Sequence, residues 1–148
     1  MLRRLGRALR LPAGERAFLF QAWALFLIVE FALHLVPFRR LLAVARAPRA
    51  TGPADYICPV PPLARLAWLT EVAGRYASAH PTCLKKALVL SWLLRRRGVA
   101  TALHIGVARW DGRLAAHAWL EQNGEVILGG PERDQYERLL ASDAIGAR

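Results

Sequence analysis

Near Gly98 the apolar periodicity of the chain changes from 3.6 to 2, and that change fixes the fold class. Upstream, Leu84, Ala87, Leu88, Ser91 and Leu94 keep helical spacing, with Pro81-Thr82 as break and N-cap and Gly98 as the stop. Downstream, Thr101 to Trp110 reads as a strand, Asp111-Gly112 as a hairpin turn, and Leu114 to Gln122 as a second strand. Asn123-Gly124 is a second hairpin signal, Glu125 to Leu128 returns as a third strand, and Gly129-Gly130-Pro131 ends it. The expectation is an α+β domain in which a helix packs on a small antiparallel sheet. A short helix around Gln135 to Leu140 and a frayed tail should complete the chain.

The first half reads differently. Residues 1–50 form a basic and apolar helical segment, residues 51–62 a proline-rich linker, and residues 63–148 the core. Residues 17–38 are long enough to span a bilayer, but Gln21, Glu30 and His34 interrupt them. A buried acid costs roughly 2.5–3.5 kcal/mol even on a permissive insertion scale. A buried or partner-docking helix, with membrane contact left open, is the preferred reading. Glu30 and His34, one turn apart, read as a local polar pair. Five prolines between Pro48 and Pro62 forbid regular structure there, and Leu63 to Ala79 resumes as a helix facing inward through Leu66, Leu69 or Thr70, and Ala73.

Composition removes several classes of function. Hydrophobic residues make up 55% of 148 positions and charged ones 22%, so the surface carries apolar area that a partner or membrane would cover. The net charge is +10, with arginines clustered at Arg3-Arg4, Arg39-Arg40 and Arg95-Arg96-Arg97. No zinc-finger spacing, aromatic RNA-binding motif or P-loop accompanies that charge, so nucleic acid is not expected as a partner. Two cysteines, Cys58 and Cys83, make no disulfide framework, and Cys58 reads as a small buried hydrophobe.

Cys83 is different because it falls at the first helical position. Unpaired amides and the positive end of the helix dipole favour a thiolate at such a place, and Lys85 and Lys86 add positive charge nearby. His117 is the matching base. With a two-residue turn at Asp111-Gly112, Gly106 faces His117 across the hairpin and leaves room beside the imidazole. The second hairpin brings Gly129 and Gly130 opposite the Ala118 and His117 region, where a group orienting the histidine should lie. His104 shares a strand face with His117 and reads as a core or supporting histidine, Trp119 and Trp92 as core aromatics, and His80 as incidental.

Cys83-Leu84 opening a helix, its Arg95-Arg96-Arg97-Gly98-Val99 end, His104-Ile105-Gly106-Val107, and His117-Ala118-Trp119-Leu120-Glu121 before a hairpin together resemble the transglutaminase-like leader peptidases of lasso peptide biosynthesis, in their stand-alone B-protein form. The resemblance is strong over Pro81 to Gly130. It implies a transglutaminase- or papain-like core with an N-terminal helical extension, and a cysteine that cuts a ribosomally made precursor at its leader–core junction. Cys83 takes the place of the nucleophile and His117 that of the base. The family commonly has an aspartate about a dozen residues past the histidine, where this chain has Gly129 and Gly130. Asp134 is the preferred third member, Glu121 and Asp111 are alternatives, and a backbone carbonyl or water also serves.

The resemblance implies further expectations. The partners would be the precursor peptide, a separate leader-recognition protein and an ATP-dependent lasso macrolactam synthetase, in the cytoplasm or at its membrane. No metal or other cofactor is required. Acyl or amide transfer by the same thioester, and an inactive peptide-binding scaffold, are the competing readings.

Overall fold

The computed structural model describes residues 11–37, 40, 62–77 and 80–142. The linker up to residue 61 with Cys58, the arginines before Leu11 and the last six residues lie outside the described residues. Within them, helices α1 (Ala13–Leu35), α2 (Leu63–Ala77) and α3 (Cys83–Arg96) pack with strands β1 (Ala102–Trp110), β2 (Arg113–Gln122), β3 (Glu125–Leu128) and β4 (Glu137–Ser142). The strands form one antiparallel sheet of order β3-β2-β1-β4. The architecture is the expected α+β one.

The helices begin and end where backbone chemistry dictates. Thr82 is extended and its hydroxyl accepts from the Lys85 amide, which caps α3 one residue before Cys83. At the other end Gly98 takes φ +80°, its amide bonds the Arg95 carbonyl, and the Val99 amide returns to Leu94. Pro37 cannot extend α1, which ends at Leu35, three residues short of the expected boundary.

Helix α1 belongs to the same core as the rest of the domain. Phe18, Ala22, Phe26 and Val29 recur on one face and join Leu66, Leu69 and Ala73 of α2 and Leu90, Leu93 and Leu94 of α3. The closest approach is at Gly74, where a Cβ would stand 3.0 Å from the Phe26 ring. Its other face leaves Phe20, Ile28, Phe31 and Leu35 mostly exposed. By length and composition alone this helix could cross a membrane.

Polar ties hold α1 in place, among them Arg97, which donates to Gln21 Oε1 at 3.1 Å. Glu15 pairs bidentately with Arg65 of α2, and Glu30 reaches Lys85 Nζ at 2.6 Å. The expected local pair of Glu30 and His34 runs through the backbone, with His34 Nδ1 bonding the Glu30 carbonyl, while the Glu30 carboxylate reaches across to α3.

Both hairpins turn as read. Asp111-Gly112 and Asn123-Gly124 all have positive φ, the requirement of a type I′ turn, and Gly106 pairs with His117. Two features differ from expectation. In the second hairpin the register slips after Glu121–Val126, so Leu120 pairs with Leu128 and Ile127 is the extra residue of a bulge. The segment after Gly130 forms no α-helix: a 3₁₀ turn at Arg133–Gln135 leads into β4, which pairs with β1. An open β1 edge offers a row of unpaired backbone groups, and pairing with them outweighs the weak helical preference of six residues.

Candidate active site

Cys83 is the first residue of α3 and His117 sits midway along β2, and both line one cleft of about 440 Å³. Glu71 of α2, Lys86 of α3, Gly129, Glu132 and Tyr136 complete its walls. The Thr82 hydroxyl engages the Lys85 amide and its carbonyl the Lys86 amide. The amides of Cys83 and Leu84 are therefore the first-turn donors that the Thr82 cap does not engage. Cys83 is half-buried and unbridged.

The imidazole is fixed by backbone. Nε2 of His117 lies 2.9 Å from the Gly129 carbonyl oxygen. A carbonyl only accepts, so Nε2 carries the proton and Nδ1 is the basic atom. Nδ1 lies on the cleft side, with Glu132 Oε2 at 4.0 Å. Tyr136 packs against one side of the ring at a centroid distance of 5.1 Å, and Trp119 stacks at 6.2 Å. Gly129 is held at φ +76°, and a Cβ there would lie 3.0 Å from the Ala118 carbonyl and 3.2 Å from Nε2. Only glycine brings this carbonyl so close.

The three acids considered as the third member stand elsewhere. Asp134 is exposed and paired with Arg133 at 3.0 Å. Asp111 occupies the first hairpin tip, at the far end of β2. Glu121 is buried but serves another histidine: it meets His104 Nε2 at 3.2 Å, accepts the Trp119 indole N–H at 2.9 Å, and pairs with Arg138 at 2.8 Å and Arg133 at 3.5 Å. Burial alone would raise the Glu121 carboxyl, but the Trp119 hydrogen bond and the charges of His104, Arg138 and Arg133 outweigh it and hold the group below the usual carboxylate range.

His104 is therefore a supporting residue, stacked on Trp119 at 5.4 Å, which in turn stacks on His117. Trp119 is fully buried and supports the imidazole from within the sheet. Gly106, expected to leave room for the imidazole, leaves it for the neighbours: a Cβ would meet Glu137 O and Tyr136 Cβ at 2.9 Å and Trp119 at 3.0 Å.

The two lysines near Cys83 divide their roles. Lys85 turns away to Glu30 and the His80 carbonyl, whereas Lys86 stays in the cleft with Glu71 at 3.6 Å. Glu71, Glu132 and Tyr136 are cleft residues that the sequence did not single out. Only the fold brings them there: Glu71 comes from α2, Glu132 and Tyr136 flank the 3₁₀ turn before β4, and none has a motif around it. Among the described residues no cluster of histidine, cysteine and acid side chains could hold a metal ion.

The cleft thus holds a half-buried thiol at a helix N-terminus and a histidine whose tautomer leaves Nδ1 free to take a proton. No curated protein and no solved structure matches this chain. The family model of the transglutaminase-like superfamily, typically cysteine hydrolases and transferases, covers residues 24–141 from the middle of α1 to β4, and the chain belongs to that superfamily.

Proposed function

We propose that this protein is a cysteine peptidase that removes the leader from a ribosomally made lasso precursor peptide. The observation that carries the chemistry is the bond from His117 Nε2 to the Gly129 carbonyl, in the cleft that Cys83 also lines. In the reaction, Nδ1 of His117 takes the Cys83 proton and the sulfur attacks the scissile carbonyl. His117 then protonates the leaving amine as the C–N bond breaks, which leaves a thioester on Cys83. Water, losing a proton to the same nitrogen, breaks the thioester and frees the acid. The Cys83 amide is positioned at the helix end to donate to the oxyanion, a contribution worth about 10²–10³ in rate for one such donor.

The choice of a lasso precursor rests on the sequence resemblance over Pro81 to Gly130. It brings with it a separate leader-recognition protein and a macrolactam synthetase as partners, in the cytoplasm. The exposed apolar face of α1 is a surface for the recognition protein or the membrane. Precursor, recognition protein and either wild type or Cys83→Ala should be incubated together and analysed by mass spectrometry. Cleaved leader with wild type and none with Cys83→Ala is expected; equal processing by both would remove the peptidase reading. An amine adduct of the leader fragment in place of the free acid would assign the protein to acyl transfer.

A further inference from the structure

A second groove, about 380 Å³ in volume, runs between α2 and β3 beside the catalytic cleft. Glu71, Leu128, Gly129 and Pro131 line both, so the two adjoin. The groove walls away from Cys83 are Ala67 and Trp68 on one side and Val126 and Ile127 on the other. Trp68 is half exposed, and the Arg65 guanidinium lies over its ring at 4.4 Å, which holds the indole in place.

The β3 side of this groove is a sheet edge. Strand β3 pairs with β2 and has no other neighbour among the described strands. In a two-residue hairpin the pair beside the turn, here Gln122 and Glu125, exchanges both ladder hydrogen bonds. At the next pair, Glu121 and Val126, the amide and carbonyl of Val126 therefore point outward, away from β2. The bulge at Ile127 ends the regular edge there, so one outward donor and acceptor sit beside an apolar wall.

We propose that this groove is the subsite for the peptide segment next to the scissile bond. The segment lies extended along the β3 edge, bonds the Val126 backbone, and places one apolar side chain between Trp68 and Val126. The proposal deepens the peptidase reading and rests on it. An extended peptide is the occupant because an unpaired strand edge is satisfied by another strand, and the groove adjoins the cleft that Cys83 lines. The preference is for an apolar side chain because the only acid in the groove, Glu71, is already engaged by Lys86 and Arg75.

Epoxysuccinyl tripeptides test this without a known substrate. The Cys83 thiolate opens the epoxide, forming a C–S bond and breaking a C–O bond, and the ring oxygen takes up a proton. Probes with the peptide attached in either direction sample both sides of the sulfur. Each carries leucine, serine or aspartate at the residue nearest the warhead or the next one. Rates are divided by the rate of iodoacetamide alkylation of the same variant, which removes changes in thiol reactivity. In wild type, the leucine probe of one direction should exceed the aspartate probe by about tenfold, the scale of one side chain in an apolar pocket. Trp68→Ala and, independently, Val126→Lys, whose ammonium favours the aspartate probe, should each reduce that ratio to about twofold or less. Equal rates for all probes in wild type, or a ratio that survives both substitutions, would overturn the subsite. Failure of the underlying dyad would show separately, as iodoacetamide reacting equally fast with wild type and His117→Ala.

Discussion

At residue scale the site turns on Gly129, whose backbone carbonyl holds the imidazole of His117. That carbonyl stands where the resemblance leads one to expect an aspartate, and it fixes Nε2 of His117. A neutral carbonyl holds the tautomer without adding a negative charge behind the imidazole. A cysteine–histidine pair tolerates that better than a serine would, because the thiol ionises more easily. Restoring the acid by Gly129→Asp would therefore not repair the triad. The left-handed backbone costs about 1–2 kcal/mol for any other residue, and the new Cβ would meet Nε2 at 3.2 Å. Both Gly129→Ala and Gly129→Asp are expected to lower cleavage by about tenfold or more, as a misplaced catalytic group does, measured as kcat on the precursor. By contrast, Asp134→Asn removes an exposed ion pair only. Such surface changes stay within about 0.5 kcal/mol, so its rate should remain within about twofold of wild type. A large loss with Asp134→Asn would mean that this carboxylate reaches His117 during catalysis.

At the scale of elements, the start of α3 is held by α1. Lys85 follows Cys83 by two residues, and its buried ammonium meets Glu30. Removing one partner of a buried pair strands the other charge, although Glu30 keeps about a third of its side chain in water, which screens part of the cost. Lys85→Ala is expected to destabilise the protein by about 1–3 kcal/mol in denaturant unfolding. The double variant Lys85→Met, Glu30→Leu should recover most of that, and a single variant unfolding at the wild-type midpoint would show the tie to be idle. Gly106→Ala is the corresponding change in the sheet. Its Cβ meets the Glu137 backbone oxygen at 2.9 Å, so β4 and Tyr136 must shift, at a cost of about 1–3 kcal/mol.

These elements also show what a sequence can and cannot reveal. The α3 helix, its Thr82 cap, the two type I′ turns and the Gly106–His117 register were legible because each depends on local backbone chemistry. Strand β4 was not, since it forms by pairing with an edge that only the folded sheet presents. The bulge at Ile127 carries no local signal either. The charged partners of Glu30 and Glu121 lie on other elements, so spacing along the chain could not name them.

At the scale of the whole molecule, the excess positive charge is partly absorbed by the fold. Arg65, Arg96 and Arg97 lie over the rings of Trp68, Trp92 and Phe18, and Arg133 and Arg138 converge on Glu121. Glu121 is thus the anion around which β1, β2, β4 and the 3₁₀ turn meet, through His104, Trp119, Arg138 and Arg133. Its carboxyl is held below the usual range in the folded protein, so the unfolded chain binds that proton at a higher pH. The stabilisation is therefore complete above the ordinary carboxylate pKa and is lost as the pH falls through the lowered value. Glu15, lowered by its hydrogen bonds from Arg65, titrates in the same sense, but the guanidinium it meets is partly in water, which weakens its contribution. Melting temperature followed from about pH 7 down to about pH 3 should fall most steeply in the acid limb, below about pH 4. Glu121→Gln should lower the melting temperature at neutral pH and flatten that limb. The stack from His104 through Trp119 to His117 carries the consequence to the site, so acid or Glu121→Gln should also slow cleavage before global unfolding is complete. An acid limb equally steep in Glu121→Gln and wild type would place the acid sensitivity in other carboxylates and leave the cluster a packing feature alone.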